Sequence, residues 1–153
     1  MMNIVLFEPE IPMNTGNIGR TCVATGAKLH LIKPLGFFVD DKSLKRAGMD
    51  YWKTLDVKIY ENFDDFLLQN NYPRVFMVET HTDKLYTDVS YNADDFIMFG
   101  KETTGIPQEL LNKYCDTTIR IPMIAGTRSF NLSNAAAIVL LEALRQNGFE
   151  GLE

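Results

Sequence analysis

The sequence has few residues that could build a metal site or a disulfide framework. Its 153 residues include two cysteines, Cys22 and Cys115, and two histidines, His30 and His81. The cysteines lie in separate patterned segments, which favours two reduced, buried thiols over a disulfide. Neither a CxxC nor an HExxH motif is present, which argues against a structural or catalytic zinc site. We therefore predict a protein without a metal.

Long hydrophobic runs are also missing. The longest uninterrupted apolar stretch, residues 135–141, has seven residues, whereas a membrane-spanning helix needs about 20. Residues 1–9 have no basic leader and reach a carboxylate after a short apolar run, which is typical of a strand rather than a signal peptide. We predict a soluble, cytoplasmic protein with no membrane partner.

Positive charge is in the minority. Fifteen Lys and Arg side chains stand against twenty Asp and Glu, for a net charge of −5. This balance argues against a protein that coats nucleic acid through a general positive field, but it leaves room for a local basic site. Residues 59–116 carry eleven acidic and four basic side chains, while residues 1–58 carry six and eight. Any RNA-binding surface should therefore be confined and sensitive to salt.

The length predicts one domain, residues 1–153, around one core. Short strands alternate with amphipathic helices, which predicts an α/β fold with a parallel sheet and helices on both faces. Ligands of such sheets collect beyond the carboxyl ends of the strands. The predicted strands are residues 3–7, 28–32, 57–60, 74–78, 96–99 and 118–121. The predicted helices are residues 14–26, 41–47, 63–69, 107–114 and 132–146.

The last predicted helix has apolar side chains on more than one side. The stripe expected to pack on the sheet follows the i, i+3, i+4, i+7 rule, but Ile138 and Leu141 fall outside it. In so small a chain a second subunit is the available cover, so we predict a homodimer through this C-terminal helix. Neighbouring elements of the same chain are the alternative cover.

Three polar clusters are predicted at strand ends. NTGNIGR, residues 14–20, combines small and amide residues with an arginine, and this turn could direct backbone N–H groups toward an anion. FGKETTGIP, residues 99–107, has two glycines that permit close backbone approach to a ligand. RSFNLSNAAA, residues 128–137, has more polar side chains than one helix cap uses. Taken singly, a capped helix or an ordinary strand-to-helix corner would explain each of the first two clusters.

Taken together, these clusters and the preceding IPM, residues 121–123, resemble the three motifs of the SPOUT class of trefoil-knotted RNA methyltransferases. The N-terminal NIVLFEPEIPMNTGNIGRTC is most similar to the minimal TrmL/YibK-type members, which methylate the ribose 2′-hydroxyl of the tRNA wobble nucleotide, cytidine or uridine 34. The resemblance covers essentially the whole chain. It implies a deep C-terminal trefoil knot, which is rare among folds. It also implies S-adenosylmethionine as cofactor, an active site completed by two subunits, and a tRNA anticodon stem-loop as substrate.

The resemblance also implies roles for individual residues. Arg20 falls on the family's catalytic arginine. The other polar motif positions are Asn14, Glu102, Ser129 and Asn131. The cofactor pocket is expected to include Val78, Thr80, Gly100, Ile121, Met123, Ser129 and Leu132. Contacts to RNA phosphates are expected from Lys42, Lys45 and Arg46.

Some of these assignments have a simpler alternative. Glu102 would otherwise be a solvated loop carboxylate. Ser129 or Asn131 would cap a helix. The three basic residues would form a charged face in solvent.

Methyl transfer to a ribose hydroxyl suits a chain without a set of metal-binding residues. The methyl group arrives activated, so the reaction needs alignment and the handling of one proton. Methylation at a pyrimidine carbon usually needs a cysteine nucleophile, and neither Cys22 nor Cys115 lies in a suitable motif. Three alternatives stay open: a non-catalytic RNA- or nucleotide-binding module, 2′-O-methylation of another RNA such as rRNA, and a dinucleotide oxidoreductase, which the missing GxGxxG motif disfavours.

Overall fold

The computed structural model describes residues 1–40, 42 and 50–153. Within these residues the strands are β1 (Asn3–Phe7), β2 (Lys28–Ile32), β3 (Val57–Tyr60), β4 (Val75–Val78), β5 (Phe96–Phe99) and β6 (Thr118–Ile119). The helices are α1 (Pro12–Thr25), α2 (Phe63–Gln69), α3 (Gln108–Lys113) and α4 (Leu132–Gln146), and short 3₁₀ turns lie at Asp50–Lys53 and Cys115–Thr117. No helix in this described part is long and apolar enough to cross a membrane.

The strands form one parallel sheet in the order β3-β2-β1-β5-β4-β6. Successive side chains of a strand point to opposite faces, so the fully buried β1 supplies two cores. Ile4 and Leu6 belong to the core beneath α1 and α4, while Val5 and Phe7 belong to the core beneath α2. The predicted parallel sheet with helices on both faces is confirmed, and the trefoil knot stays a prediction.

The helix predicted over residues 41–47 lies outside the described residues except for Lys42. The bounds of the other predicted elements agree with the structure within one residue, except for two. The strand predicted over residues 118–121 ends at Ile119, and Arg120 adds a single bridge to Leu85. The first helix begins at Pro12 because proline, which lacks an N–H, suits the first helical turn. Asn14 therefore lies inside the helix, and the predicted anion-binding turn at NTGN is wrong.

Helix α4 shows the predicted two-sided apolar pattern. Its inner stripe is buried in the core and consists of Ala135, Ala136, Val139, Leu140, Ala143 and Leu144. Ile138 is half-buried, and Leu141 is 47% exposed. The described part of the chain thus leaves apolar surface on this helix uncovered.

A buried histidine joins the amino ends of β1 and β2. Asn3 donates from Nδ2 to backbone carbonyls, which fixes its Oδ1 as the atom facing His30 Nε2 at 3.1 Å. Because Oδ1 only accepts, Nε2 carries the proton. Nδ1 is then the acceptor for the Tyr60 hydroxyl at 2.8 Å, and that hydroxyl accepts from Asn70 Nδ2. The chain of hydrogen bonds holds His30 as one neutral tautomer.

This arrangement predicts acid-sensitive stability. Burial lowers the pKa of His30 from its ordinary value of 6.5 to about 4. As the pH falls from 6.5 toward 4, only the unfolded chain gains the proton, so His30 destabilises the fold by about 1.4 kcal/mol per pH unit. Urea unfolding at several pH values should show the stability advantage of the wild type over His30→Gln shrinking across this window. An advantage that stays constant with pH would contradict the assignment.

Candidate functional site

A cavity of about 1000 Å³ opens at the carboxyl ends of β4, β5 and β6. It lies beside the boundary between β1 and β5, where the strand order reverses, which is the usual ligand position in an open α/β sheet. All the residues expected around the cofactor line it: Val78, Thr80, Gly100, Ile121, Met123, Ser129 and Leu132. Four of the five residues expected in catalysis line it as well: Asn14, Glu102, Ser129 and Asn131.

Glu102 ties the loop after β5 to the start of α1. Its Oε2 accepts from the backbone N–H of Glu10 at 2.9 Å. Its Oε1 accepts from the N–H of Ile11 at 3.1 Å and from Asn14 Nδ2 at 3.3 Å. Glu10 and Ile11 directly precede α1, and a carboxylate is favourable near the amino end of a helix. Glu102 is therefore a structural link between the first two motifs rather than a solvated loop carboxylate.

The third motif joins the same network. Asn131 Nδ2 donates to Asn14 Oδ1 at 3.0 Å, while Asn131 Oδ1 accepts from the backbone N–H of Ser133 at 2.9 Å and caps α4. The capping alternative for Asn131 is thus correct, yet the same side chain also holds Asn14. Ser129 lines the cavity and makes no side-chain hydrogen bond to the described residues.

The loop at residues 100–105 is tightly closed. The N–H of Gly105 donates to the carbonyl of Lys101 at 3.0 Å, and Lys101 forms an ion pair with Glu8. A Cβ added to Gly100 would lie 2.3 Å from the backbone nitrogen of Ile106. Gly100 therefore makes room for the loop's own backbone, and its predicted close approach to a ligand stays a prediction.

Glu79 lies between the expected cofactor residues Val78 and Thr80, follows β4 and lines the cavity, but the sequence analysis gave it no role of its own. Its Oε1 accepts from the N–H of Thr80 at 2.6 Å and from Thr80 Oγ1 at 3.0 Å. A carboxylate directly after a predicted parallel strand was the available signal, because ligands collect at such strand ends.

Arg20 does not line the cavity of its own chain. It is exposed on α1, six residues beyond Asn14. On an α-helix, six residues correspond to about 9 Å along the axis and to a different side. The first cluster therefore separates in space, with Asn14 at the cavity and Arg20 on the outer surface.

The predicted basic cluster is only partly described. Lys42 is exposed, and Lys45 and Arg46 lie outside the described residues.

Among the residues that are described, no group of three or more His, Cys, Asp or Glu side chains could hold a metal ion.

The two cysteines have different environments. Cys22 lies on the buried side of α1, and burial raises its pKa to about 12. Cys115 is exposed, so the prediction of two buried thiols is wrong for this residue. It lies in a 3₁₀ turn at the cavity wall.

Known proteins resemble this chain over its full length. A sequence profile described as the SpoU rRNA Methylase family matches residues 1–141. A tRNA (cytidine(34)-2′-O)-methyltransferase from Saccharophagus degradans is 50% identical over 99% of both chains. A protein of the same description from Yersinia pestis is also 50% identical, over 99% of this chain and 97% of its own.

Solved structures agree with this similarity. A Bacillus anthracis protein superposes with a TM-score of 0.95 at 45% identity, over 100% of this chain and 98% of its own. A structure concerned with 2-OH methylation of C/U34 on tRNA superposes with a TM-score of 0.90 at 39% identity, over 97% of each chain. An AdoMet-bound rRNA methyltransferase from Sinorhizobium meliloti superposes with a TM-score of 0.82 at 26% identity, over 94% of this chain and 56% of its own.

Proposed function

The chain belongs to the SpoU rRNA methylase family, and from this premise we propose that it transfers a methyl group from S-adenosylmethionine to the ribose 2′-hydroxyl of nucleotide 34 in tRNA. The observation that carries the proposal is the match, at about half identity and over nearly all of both chains, to tRNA (cytidine(34)-2′-O)-methyltransferases. The substrate nucleotide is the cytidine or uridine at the wobble position.

Ribosomal RNA is the second candidate substrate, because the family description and the Sinorhizobium meliloti structure both refer to rRNA. The lengths favour tRNA. This chain spans 56% of that rRNA methyltransferase but 99% of the Saccharophagus degradans tRNA enzyme. A tRNA substrate also agrees with the predicted cytoplasmic location, which stays a prediction.

The residues around the cavity fit S-adenosylmethionine. The volume of about 1000 Å³ is sufficient for a ligand of this size. Apolar side chains such as Ile121 and Leu132 suit a flat adenine ring, and the carboxylate of Glu79 suits a ligand with hydroxyl groups and positive charge. The residues proposed to hold the cofactor are Val78, Thr80, Gly100, Ile121, Met123, Ser129 and Leu132. When bound, the cofactor supplies a methyl group on a sulfonium sulfur.

Cys115 offers a direct test of where the cofactor binds. It is exposed and lines the cavity, whereas Cys22 is buried. In the native protein a thiol reagent should therefore modify one cysteine per chain, and S-adenosylhomocysteine should slow that modification as it saturates the cavity. Cys115→Ser should remove the fast reaction. Unchanged labelling at saturating ligand would contradict this location of the cofactor.

The catalytic proposal assigns the network and the arginine different tasks. Glu102, Asn14 and Asn131 hold the three motifs together and thus fix the shape of the cavity mouth. A guanidinium stays protonated in proteins and is a poor base. Arg20 therefore acts electrostatically, by binding the phosphate next to the target ribose and stabilising negative charge that develops on the 2′-oxygen.

A homodimer would bring this arginine to a cavity. Val23 is 39% exposed and lies one turn beyond Arg20, on the same side of α1. Helix α1 packs against α4, whose Leu141 is exposed. We propose that two copies cover these apolar side chains by pairing through α4, so that Arg20 of each copy completes the cavity of the other. The residues proposed to bind the phosphates of the tRNA are Lys42, Lys45 and Arg46.

An anticodon stem-loop RNA tests the proposal. With radiolabelled S-adenosylmethionine, the protein should methylate a stem-loop that carries cytidine 34. It should leave unlabelled a matched stem-loop with 2′-deoxycytidine at that position alone. Equal labelling of both would contradict 2′-O-methylation at nucleotide 34. Cofactor binding without labelling of any tRNA or rRNA would support the non-catalytic module.

A further inference from the structure

We infer that Glu79 recognises the cofactor ribose, with its free carboxylate oxygen accepting hydrogen bonds from the ribose hydroxyl groups. The inference rests on the proposed use of S-adenosylmethionine. It adds a binding residue that lies outside the three motifs of the chain, and the geometry of the carboxylate carries it.

Glu79 is held in one orientation toward the cavity. Glu79 directly follows β4, so the sheet fixes the position of its backbone. Two donors of Thr80, the backbone N–H and the hydroxyl, bind the same oxygen, Oε1. The other oxygen, Oε2, faces Gly105 across the cavity wall, where an added Cβ would lie 2.9 Å from it. A side chain at position 105 would clash with Oε2, so the glycine allows the Glu79 carboxylate to lie against the 100–105 loop.

Of the carboxylate oxygens that line the cavity, Glu79 Oε2 is the one that accepts no hydrogen bond from the described residues. Glu102, the other acidic side chain in the lining, uses both of its oxygens on donors from the start of α1. Lys101 is paired with Glu8. No described residue donates a hydrogen bond to Glu79 Oε2, although the side chain is half-buried. A half-buried carboxylate oxygen gains from a ligand that supplies donors.

The cofactor supplies two kinds of partner for such an oxygen. Its ribose has two neighbouring hydroxyl groups, and its sulfonium and ammonium groups are positive. An acidic residue near a strand end that accepts from ribose hydroxyls is a common solution in α/β nucleotide sites. The position of Oε2, against the backbone of the 100–105 loop and next to a strand end, matches that solution. We therefore assign it to the hydroxyl groups.

Calorimetric titration with S-adenosylhomocysteine, which has no sulfonium charge, tests the assignment. Glu79→Gln should weaken binding by about 10- to 100-fold, the range for a hydrogen bond to a charged group. The 2′-deoxy and 3′-deoxy analogues should bind the wild type less tightly than S-adenosylhomocysteine does. For at least one of these analogues, the affinity for Glu79→Gln should be close to its affinity for the wild type. Glu109→Gln, which changes an exposed carboxylate outside the cavity lining, should bind like the wild type. Thermal unfolding verifies that both variants fold.

Three outcomes would overturn the assignment. One is wild-type affinity in Glu79→Gln. Another is that the variant and each deoxy analogue lower the binding affinity independently, so that the two fold-losses multiply. The third is a loss that is much larger for S-adenosylmethionine than for S-adenosylhomocysteine, since this would assign Glu79 to the sulfonium charge. If the wild type binds neither ligand, the proposed function fails first, and that result is distinct from all three.

Discussion

Replacement of Arg20 by alanine is expected to lower the rate of methyl transfer by about 100-fold or more, the usual effect of removing a group that stabilises developing charge. Cofactor affinity should stay close to that of the wild type, because Arg20 is absent from the cavity lining of its chain. Stability should also change little, because the side chain is exposed. Single-turnover rates at saturating tRNA, measured beside a cofactor titration, separate these effects.

Lys28→Ala is the matched control for this variant. Lys28 is a partly exposed cation at the amino end of β2, away from the cavity at the carboxyl ends of the strands, and it forms an ion pair with Asp56. Its loss should leave the single-turnover rate within a few-fold of the wild type. An Arg20→Ala protein that loses cofactor affinity but keeps its single-turnover rate would contradict the assigned role.

Mixed dimers test whether Arg20 serves the other subunit. Leu132→Arg should block the cavity of its own chain while leaving Arg20 in place. Coexpressed with Arg20→Ala, it should restore activity, because one mixed site combines an intact cavity with an intact arginine. If Arg20 served the cavity of its own chain, no mixture of these two variants would regain activity.

The second large effect is expected from Gly100→Ala. The new Cβ would lie 2.3 Å from the nitrogen of Ile106 and 2.4 Å from the carbonyl carbon of Gly105, and backbone atoms at these distances must move. We expect a loss of about 3 kcal/mol in the free energy of unfolding, which corresponds to about 10 °C in the melting temperature. Cofactor binding should fall sharply as well, because the displaced loop forms one wall of the cavity.

Gly26→Ala controls for the general effect of replacing a glycine. Gly26 ends α1 with φ +69°, and no heavy atom lies within 4 Å of an added Cβ. Its replacement should cost about 1 kcal/mol through backbone strain alone and leave cofactor binding unchanged. A Gly100→Ala protein that melts like Gly26→Ala and binds the cofactor normally would contradict the steric account.

The strands were predictable because their patterns depend on neighbours in sequence. β1 and β5 are short apolar runs bounded by polar residues, and both faces of a parallel sheet are buried. Helix α4 was predictable from its stripe, which spans four turns. The cofactor residues were named by resemblance to the motifs, and the fold brings all of them to one cavity.

Long-range contacts explain what the sequence could not provide. Asn14 donates a hydrogen bond to Glu102, 88 positions away, and accepts one from Asn131, 117 positions away. No local pattern distinguishes such a link from a loop carboxylate or a helix cap. Which side of α1 faces the cavity could not be assigned either, since that depends on the contacts of Asn14 with distant parts of the chain. Glu79 lacked a motif, and its role depends on which neighbouring acceptors are already occupied.

The most direct test of the central claim is to map the methyl group on natural tRNA. Total tRNA from a strain that lacks this gene should be incubated with the protein and labelled S-adenosylmethionine, then digested and resolved into nucleosides. The account predicts label on the ribose of nucleotide 34, as 2′-O-methylcytidine or 2′-O-methyluridine. Label on a base, at another nucleotide, or on no tRNA would contradict it.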